Sequence, residues 1–312
     1  GQRSYFRGED EQEFALLTQA VSDLEYAKFL MPNNSGARAW YARACAHAIE
    51  FAKNNDYDCT ELTEQGHRLL QEMPVGGGHP FDNGTRWLLC RAIGDTEGAW
   101  DAVQRAGKHG YHCWNLAVES LSRFGSTADA ERAFRRVLPN DEKDNKYCRT
   151  ALAFLVHDQE HGAQRVRDLV EDLTDDPSSI HRMLGLFGLC LAGDLSNVEE
   201  RAQVGLKFKD QGHPRFANKE CLQFLANPRS AEEKEKLIKA AELGSYAFIN
   251  AHFTIALTHM AAHDRAGAIN HLELCTSRTA INNFSAEMAR VLLDRMTANP
   301  TWPGWIQSNE VH

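Results

Sequence analysis

No apolar run in this sequence is long enough to cross a bilayer. The longest stretch made only of apolar residues and glycine runs from Met183 to Gly193, well short of the roughly 20 residues a spanning helix needs. No apolar signal-peptide core opens the chain. Among eight cysteines there is no C-x-x-C pair, so the usual zinc-ribbon and thiol-redox spacings are missing. Glycine and proline are sparse, 22 and 9 of 312 residues, which excludes collagen-like and low-complexity chains. Positive charge is in deficit: 34 Lys and Arg against 43 Asp and Glu leave a net charge of −9. That balance argues against nucleic-acid binding, which needs clustered basic residues. The nearest cluster, Arg132, Arg135 and Arg136, adjoins Glu131 and reads as a solvated helix face. Dispersed cysteines in a chain this long point to buried, reduced thiols and a cytoplasmic protein. The chain begins at Gly1 rather than Met, which suggests a piece of a longer parent.

Strand signals are also missing. Alternating runs rich in Val, Ile and Thr do not occur, whereas apolar residues recur at intervals of three and four almost everywhere, the period of amphipathic helices. Short helix-breaking signals divide the pattern, among them Pro32-Asn33-Asn34, Gly94-Asp95, Gly125-Ser126, Gly193-Asp194, Gly212-His213-Pro214 and Gly244-Ser245. A Gly that ends one helix followed directly by an Asp or Ser that caps the next is the mark of antiparallel helices on short turns. One long break stands out, Pro74 to Gly84, where the run Gly76-Gly77-Gly78 and the prolines Pro74 and Pro80 predict a loop inserted between repeats. It carries no phosphate-loop Lys-Ser/Thr and follows no strand.

The helices fall into a repeat. A small residue, a bulky one four later and a small or modest one three later recur as Ala20, Leu24, Ala27; Ala99, Val103, Ala106; Ala130, Phe134, Val137; and Ala268, Leu272, Cys275, with Val198, Ala202, Gly205 as a weaker copy. The turns Gly94-Asp95, Gly125-Ser126, His157-Asp158, Gly193-Asp194 and His263-Asp264 are spaced by 31, 32, 36 and 70 residues, the last being two units of 35. Small residues at a helix crossing let two backbones approach, and the bulky neighbour fills the groove so formed. One such pair leaves an apolar face bare, so pairs must stack.

In these residues the chain resembles the tetratricopeptide repeat (TPR) family, whose 34-residue units are helix–turn–helix pairs. Ala20, Leu24, Ala27 and Pro32 match its second-helix pattern, Trp114, Gly125, Ala130 and Phe134 follow its spacing in a later unit, and Ala256 takes the small first-helix position ahead of Ala268. The match covers most of residues 10–295, with only the turn and period kept around 141–226. The resemblance implies an all-α fold, a right-handed α-solenoid of stacked antiparallel helix pairs over residues 1–312, with the insertion at 74–84 and a capping tail at 299–312. The Ala- and Arg-rich first units are similar to the tetratricopeptide tails of some bacterial serine/threonine kinases, although no kinase motif is present.

Catalytic patterns are scarce. G-x-S-x-G and H-E-x-x-H do not occur. The best metal candidate, His109 and Cys113, is interrupted by Gly110 and lacks two further ligands. His252 and His259, seven apart, share a helix face but make only two ligands. The carboxylate groups Glu171-Asp172, Asp175-Asp176 and Glu232-Glu233 fall near helix ends, where they cap and solvate. We therefore expect no catalytic residue, no cofactor and no metal.

Stacked helix pairs present their first helices on a concave face. Positions projecting away from the packing residues are Trp40, Arg43, Asn115, Glu119, Arg123, Tyr147, Asn218, Lys219 and Asn250. Asparagine carries the information, because it forms helix poorly yet can donate to and accept from a peptide backbone. The expectation is a non-catalytic scaffold for a protein or peptide partner, a regulatory arm of a larger protein, with no nucleic acid and no membrane insertion. A small-ligand or peptide sensor using the same groove, and an all-α enzyme with an unrecognised cleft, are the alternatives. The tail Trp302-Pro303-Gly304-Trp305 is expected to cover the last apolar face.

Overall fold

In the computed structural model the described residues are 3–73, 80–107, 112–138, 145–278 and 283–306, and they form sixteen α-helices and no strand. No helix among them is long and apolar enough to cross a membrane. The chain divides into two compact units, 1–115 and 116–312.

The first unit contains α1 (Arg3–Leu30), α2 (Ser35–Asn54), α3 (Thr60–Glu72), α4 (Pro80–Ile93), α5 (Thr96–Ala106) and the start of α6 (Cys113–Arg123). Asn34 starts α2 by accepting the Ala37 N–H at 3.1 Å. The Ala-rich α2 packs against α1, α3 and α4 and is buried along most of its length, since small side chains let three neighbours approach. Asp95 caps α5 through the Gly98 N–H at 2.9 Å, and Ala99, Val103 and Ala106 are fully buried. In α1 the pattern is weaker. Val21 is buried while Ala20, Leu24 and Ala27 are half-buried, because α1 rests chiefly on α2. The expected 74–84 insertion is shorter than predicted. Pro80 opens α4, at a first-turn position where the missing N–H costs no hydrogen bond. Residues 74–79 lie outside the described residues.

The second unit takes the rest of α6, then α7 (Thr127–Val137), α8 (Lys146–Val156), α9 (Gly162–Val170), α10 (Ser179–Leu191), α11 (Leu195–Gly205), α12 (Asn218–Ala226), α13 (Ala231–Ala241), α14 (Ser245–Ala261), α15 (Arg265–Thr276) and α16 (Phe284–Ala298). From α7 to α16 successive helices pack, and α8, α10, α12, α14 and α16 also pack in series, forming an inner layer. Inner α10 and α14 are buried nearly all round, whereas outer α9, α11, α13 and α15 bury one stripe each, such as Val198, Ala202 and Gly205 or Ala268, Leu272 and Cys275. Gly185 and Gly188 bring α10 against the 3-10 turn Glu171–Asp175 and against Val170. Ser126, Asp194 and Asp264 cap α7, α11 and α15 through the N–H groups of Asp129, Asn197 and Gly267.

Two features depart from simple stacking of neighbours. First, α10 packs directly on α14, and rings from four helices meet there. Phe187 lies 5.4 Å from Phe253, Phe154 lies 5.5 Å from Phe284, and Phe253 lies 5.9 Å from Phe284. Second, α16 returns to α6. Arg295 donates to the Leu121 carbonyl through Nε and Nη2, at 3.1 and 2.6 Å, and through Nη2 to the Phe124 carbonyl at 2.6 Å.

The His157-Asp158 turn also differs from its counterparts. Asp158 caps no helix, since α9 begins only after His161, in the left-handed region at φ 55°. Its carboxylate instead accepts the Gly304 N–H at 2.6 Å. There the C-terminal segment lies across two turns: Trp302 and Ile306 are buried, Trp302 meets His157 edge-on at 5.4 Å, and His263 Nδ1 donates to the Trp305 carbonyl at 3.0 Å. Residues 307–312 lie outside the described residues.

Candidate functional site

In the second unit the N-terminal ends of α10, α12, α14 and α16 frame a cavity of about 210 Å³. Its wall is apolar: Ile180, Met183, Leu184 and Phe187 from α10, Phe284 from α16, and the rings of Phe216 and Tyr246. These residues face inward because α10 is apolar around its whole circumference and spends only part of that surface on α8 and α14.

Polar groups enter at the helix starts. Asn250 Nδ2 donates to the Phe216 carbonyl at 3.1 Å, and Asn283 Nδ2 donates to Asn250 Oδ1 at 3.4 Å. Asn283 Oδ1 meanwhile caps α16, accepting the N–H groups of Ser285 and Ala286 at 2.8 and 3.2 Å. The third amide, Asn218, lines the cavity with no side-chain hydrogen bond to any described residue. Beside it, the Arg215 guanidinium stacks on Phe216 and on Tyr246, 4.7 Å from each ring centre.

No Asp, Glu, His, Lys or Arg is among the described lining residues. The cysteine of the lining, Cys221, is buried, and desolvation pushes its thiol up to about 12. A thiol in that state supplies almost no thiolate near neutral pH. Its Sγ lies 3.7 Å from the Asn250 carbonyl, to which it donates.

Of the residues expected on a concave face, Asn218 and Asn250 come together in this cavity. Lys219 is exposed on the first turn of α12, and Tyr147 is half-buried against His181, 5.1 Å away edge-on. Arg123 is exposed and lines a separate cavity of about 380 Å³ with Phe124, Arg295 and Trp302. Trp40 is half exposed, at 50%, and Asn115 lies 3.4 Å from His112 Nδ1; both belong to the first unit. Two expected outward residues are buried. Arg43, 2% exposed, donates through Nε to Thr85 Oγ1 at 2.9 Å, because α2 is covered by α4 as well as α1. Glu119 is 7% exposed, on a helix whose carbonyl end is held by Arg295. Asn283, Phe216 and Tyr246 were missed by the sequence reading. The signal available for Asn283 was an Asn directly ahead of the apolar run of α16, the mark of a helix start.

The histidines read as possible ligands have other partners. His252 Nδ1 lies 2.9 Å from His271 Nδ1, so one donates while the other accepts. Burial holds both neutral, pushing His252 down to about 4 and His271 to about 3. His259 pairs with Asp264 at 2.8 Å. His109 lies outside the described residues, and Cys113 is buried. Among the described residues no three His, Cys, Asp or Glu are grouped so as to hold a metal. Arg135 pairs with Glu131 at 2.7 Å, and Arg201 pairs with Glu171 and Asp175 at 2.9 and 3.0 Å.

Comparison of the chain with family models, with curated proteins and with solved structures finds no match.

Proposed function

We propose that this chain is a non-catalytic recognition module, a solenoid of tetratricopeptide-like helix pairs, whose second unit grips a peptide segment of a protein partner by one apolar side chain. The observation that carries the reading is the cavity itself: an apolar wall with three asparagines at its mouth, one of them making no side-chain hydrogen bond to a described residue. Its volume of about 210 Å³ is below the roughly 300–1,000 Å³ typical of cofactor and drug-sized sites, and suits a Leu, Met or Phe side chain. Burying such a side chain contributes about 1.5–3 kcal/mol, less than the roughly 4 kcal/mol of a millimolar complex. The remainder falls to hydrogen bonds, which the amides of Asn218 and Asn250 can both donate to and accept from a peptide backbone. The neutral lining and the raised Cys221 thiol favour binding over chemistry.

The test is selection from a displayed peptide library on the purified chain, followed by measurement on the Ile180→Arg and Asn218→Ala variants. Selected peptides should share an apolar anchor and lose about tenfold in affinity on each variant, while circular dichroism stays unchanged. Peptides that bind both variants as tightly as the parent would place the recognition surface elsewhere.

A further inference from the structure

We infer that the segment this cavity accepts carries a carboxylate beside its apolar anchor, and that Arg215 receives it. The inference rests on the recognition reading above and adds the chemistry of the ligand. Arg215 sits in the 3-10 turn Pro214–Phe216 that precedes α12. Its guanidinium lies 4.7 Å above both Phe216 and Tyr246, two rings that line the cavity. Stacking on aromatic faces holds the planar fork in place while leaving its edge N–H groups free for an anion. No carboxylate of the described residues pairs with it, in a chain where most arginines of the second unit have acidic or carbonyl partners. Asp210, on the loop before it, is already committed to the N–H groups of Ser179 and Gly212, each at 2.9 Å.

Two helix starts beside it also favour an anion. Starts of α12 and α14 face the cavity without a side-chain cap, behind Ala217 and Gly244. Uncapped first-turn N–H groups favour negative charge. On the first turn of α12 the exposed Lys219 is offset by its neighbour Glu220, while the described lining itself contributes no opposing acid. An anchor side chain in the pocket therefore brings its neighbouring residue against a preoriented guanidinium that has no carboxylate partner among the described residues. An Asp or Glu there gains a charge-assisted bond, while a Lys or Arg meets repulsion.

The experiment titrates the ¹⁵N-labelled full chain with acetyl-Asp-Leu-amide and acetyl-Leu-Asp-amide, each against its Asn-for-Asp counterpart, following the amide signals of Asn218, Tyr246 and Asn250. Because Arg215 is solvent-exposed, the expected preference is modest, about fivefold for at least one acidic probe. It should shrink in 0.5 M salt, vanish in Arg215→Gln and survive in part in Arg215→Lys. Acidic and Asn probes that shift the cavity amides with equal affinity, or a preference that persists in Arg215→Gln, would overturn the inference and leave the pocket standing. If no probe shifts those amides at about 10 mM, the recognition reading itself falls.

Discussion

Replacing Arg295 with Leu should destabilise the second unit. The side chain makes three hydrogen bonds to two carbonyls at the end of α6, at 2.6 to 3.1 Å, and its guanidinium covers the Trp302 ring at 5.6 Å. Hydrogen bonds from a charged donor contribute about 1.5–3 kcal/mol each, but these share one group and are not additive. Arg295 is also partly exposed, so water can replace part of what is lost at the carbonyls. The net cost is therefore about 2–4 kcal/mol, less than the sum of three bonds. For a unit of this size that is a fall in Tm of roughly 5–15 °C. Urea denaturation should show a lower midpoint, and amide exchange by mass spectrometry should show residues 116–125 opening first. Arg295→Lys keeps the charge but loses the fork, and should recover less than half the loss. A change under about 0.5 kcal/mol in Arg295→Leu would refute the claim that this contact ties the two helices, placing it among ordinary surface contacts.

Glycines in α10 give a graded test. A methyl at Gly185 would meet backbone of the neighbouring turn, Thr174 N at 2.9 Å and Leu173 C at 3.0 Å, while one at Gly188 meets the side chain of Val170 at 2.8 Å. Gly185→Ala should cost about 1–3 kcal/mol in denaturant titrations, and Gly188→Ala should be rescued by Val170→Ala, whereas no side-chain change should rescue Gly185→Ala. His157 is enclosed, with Nδ1 donating to the Phe154 carbonyl at 2.9 Å, and burial lowers its pKa to about 4. The unfolded chain then binds the extra proton first, so stability holds above about pH 6.5 and falls as pH drops towards 4. His157→Gln should flatten that slope in urea midpoints measured from pH 4 to 7; an unchanged slope would mean that His157 is not its source. Of eight cysteines only Cys59 is not buried, and the thiols of Cys45, Cys90, Cys190 and Cys221 are pushed to about 12. Iodoacetamide at pH 8 should modify Cys59 well before the rest, as peptide mapping would read directly; comparable labelling at Cys221 would contradict the buried site.

Local features were legible in the sequence where one short segment determines them. The Asp95, Ser126, Asp194 and Asp264 caps depend on a side chain and an N–H three residues on. The stripes Ala99-Val103-Ala106 and Ala268-Leu272-Cys275 depend only on helical period. What escaped depends on distant residues. Nothing in the local pattern of α10 says that it meets α14 as well as its neighbours, and nothing near Arg295 points to carbonyls over 170 residues earlier. The same limit applies to the site. Asn218 and Asn250, singled out as projecting asparagines, line the cavity, whereas Arg43 and Glu119, read as outward, are buried: a helical wheel cannot show that a second helix covers a polar face. Arg215 lay beyond reach because a short turn after Pro214 has no period to read.

The bond from Arg295 back to α6 also constrains how such a chain can change in length. An open stack can gain or lose a hairpin at its end with little disturbance. Here the last helix already has a fixed berth on the first, so a duplicated hairpin would displace it and a truncation before residue 284 would strip the α6 carbonyls of their cover. During synthesis, too, the unit cannot be completed until its final helix has left the ribosome.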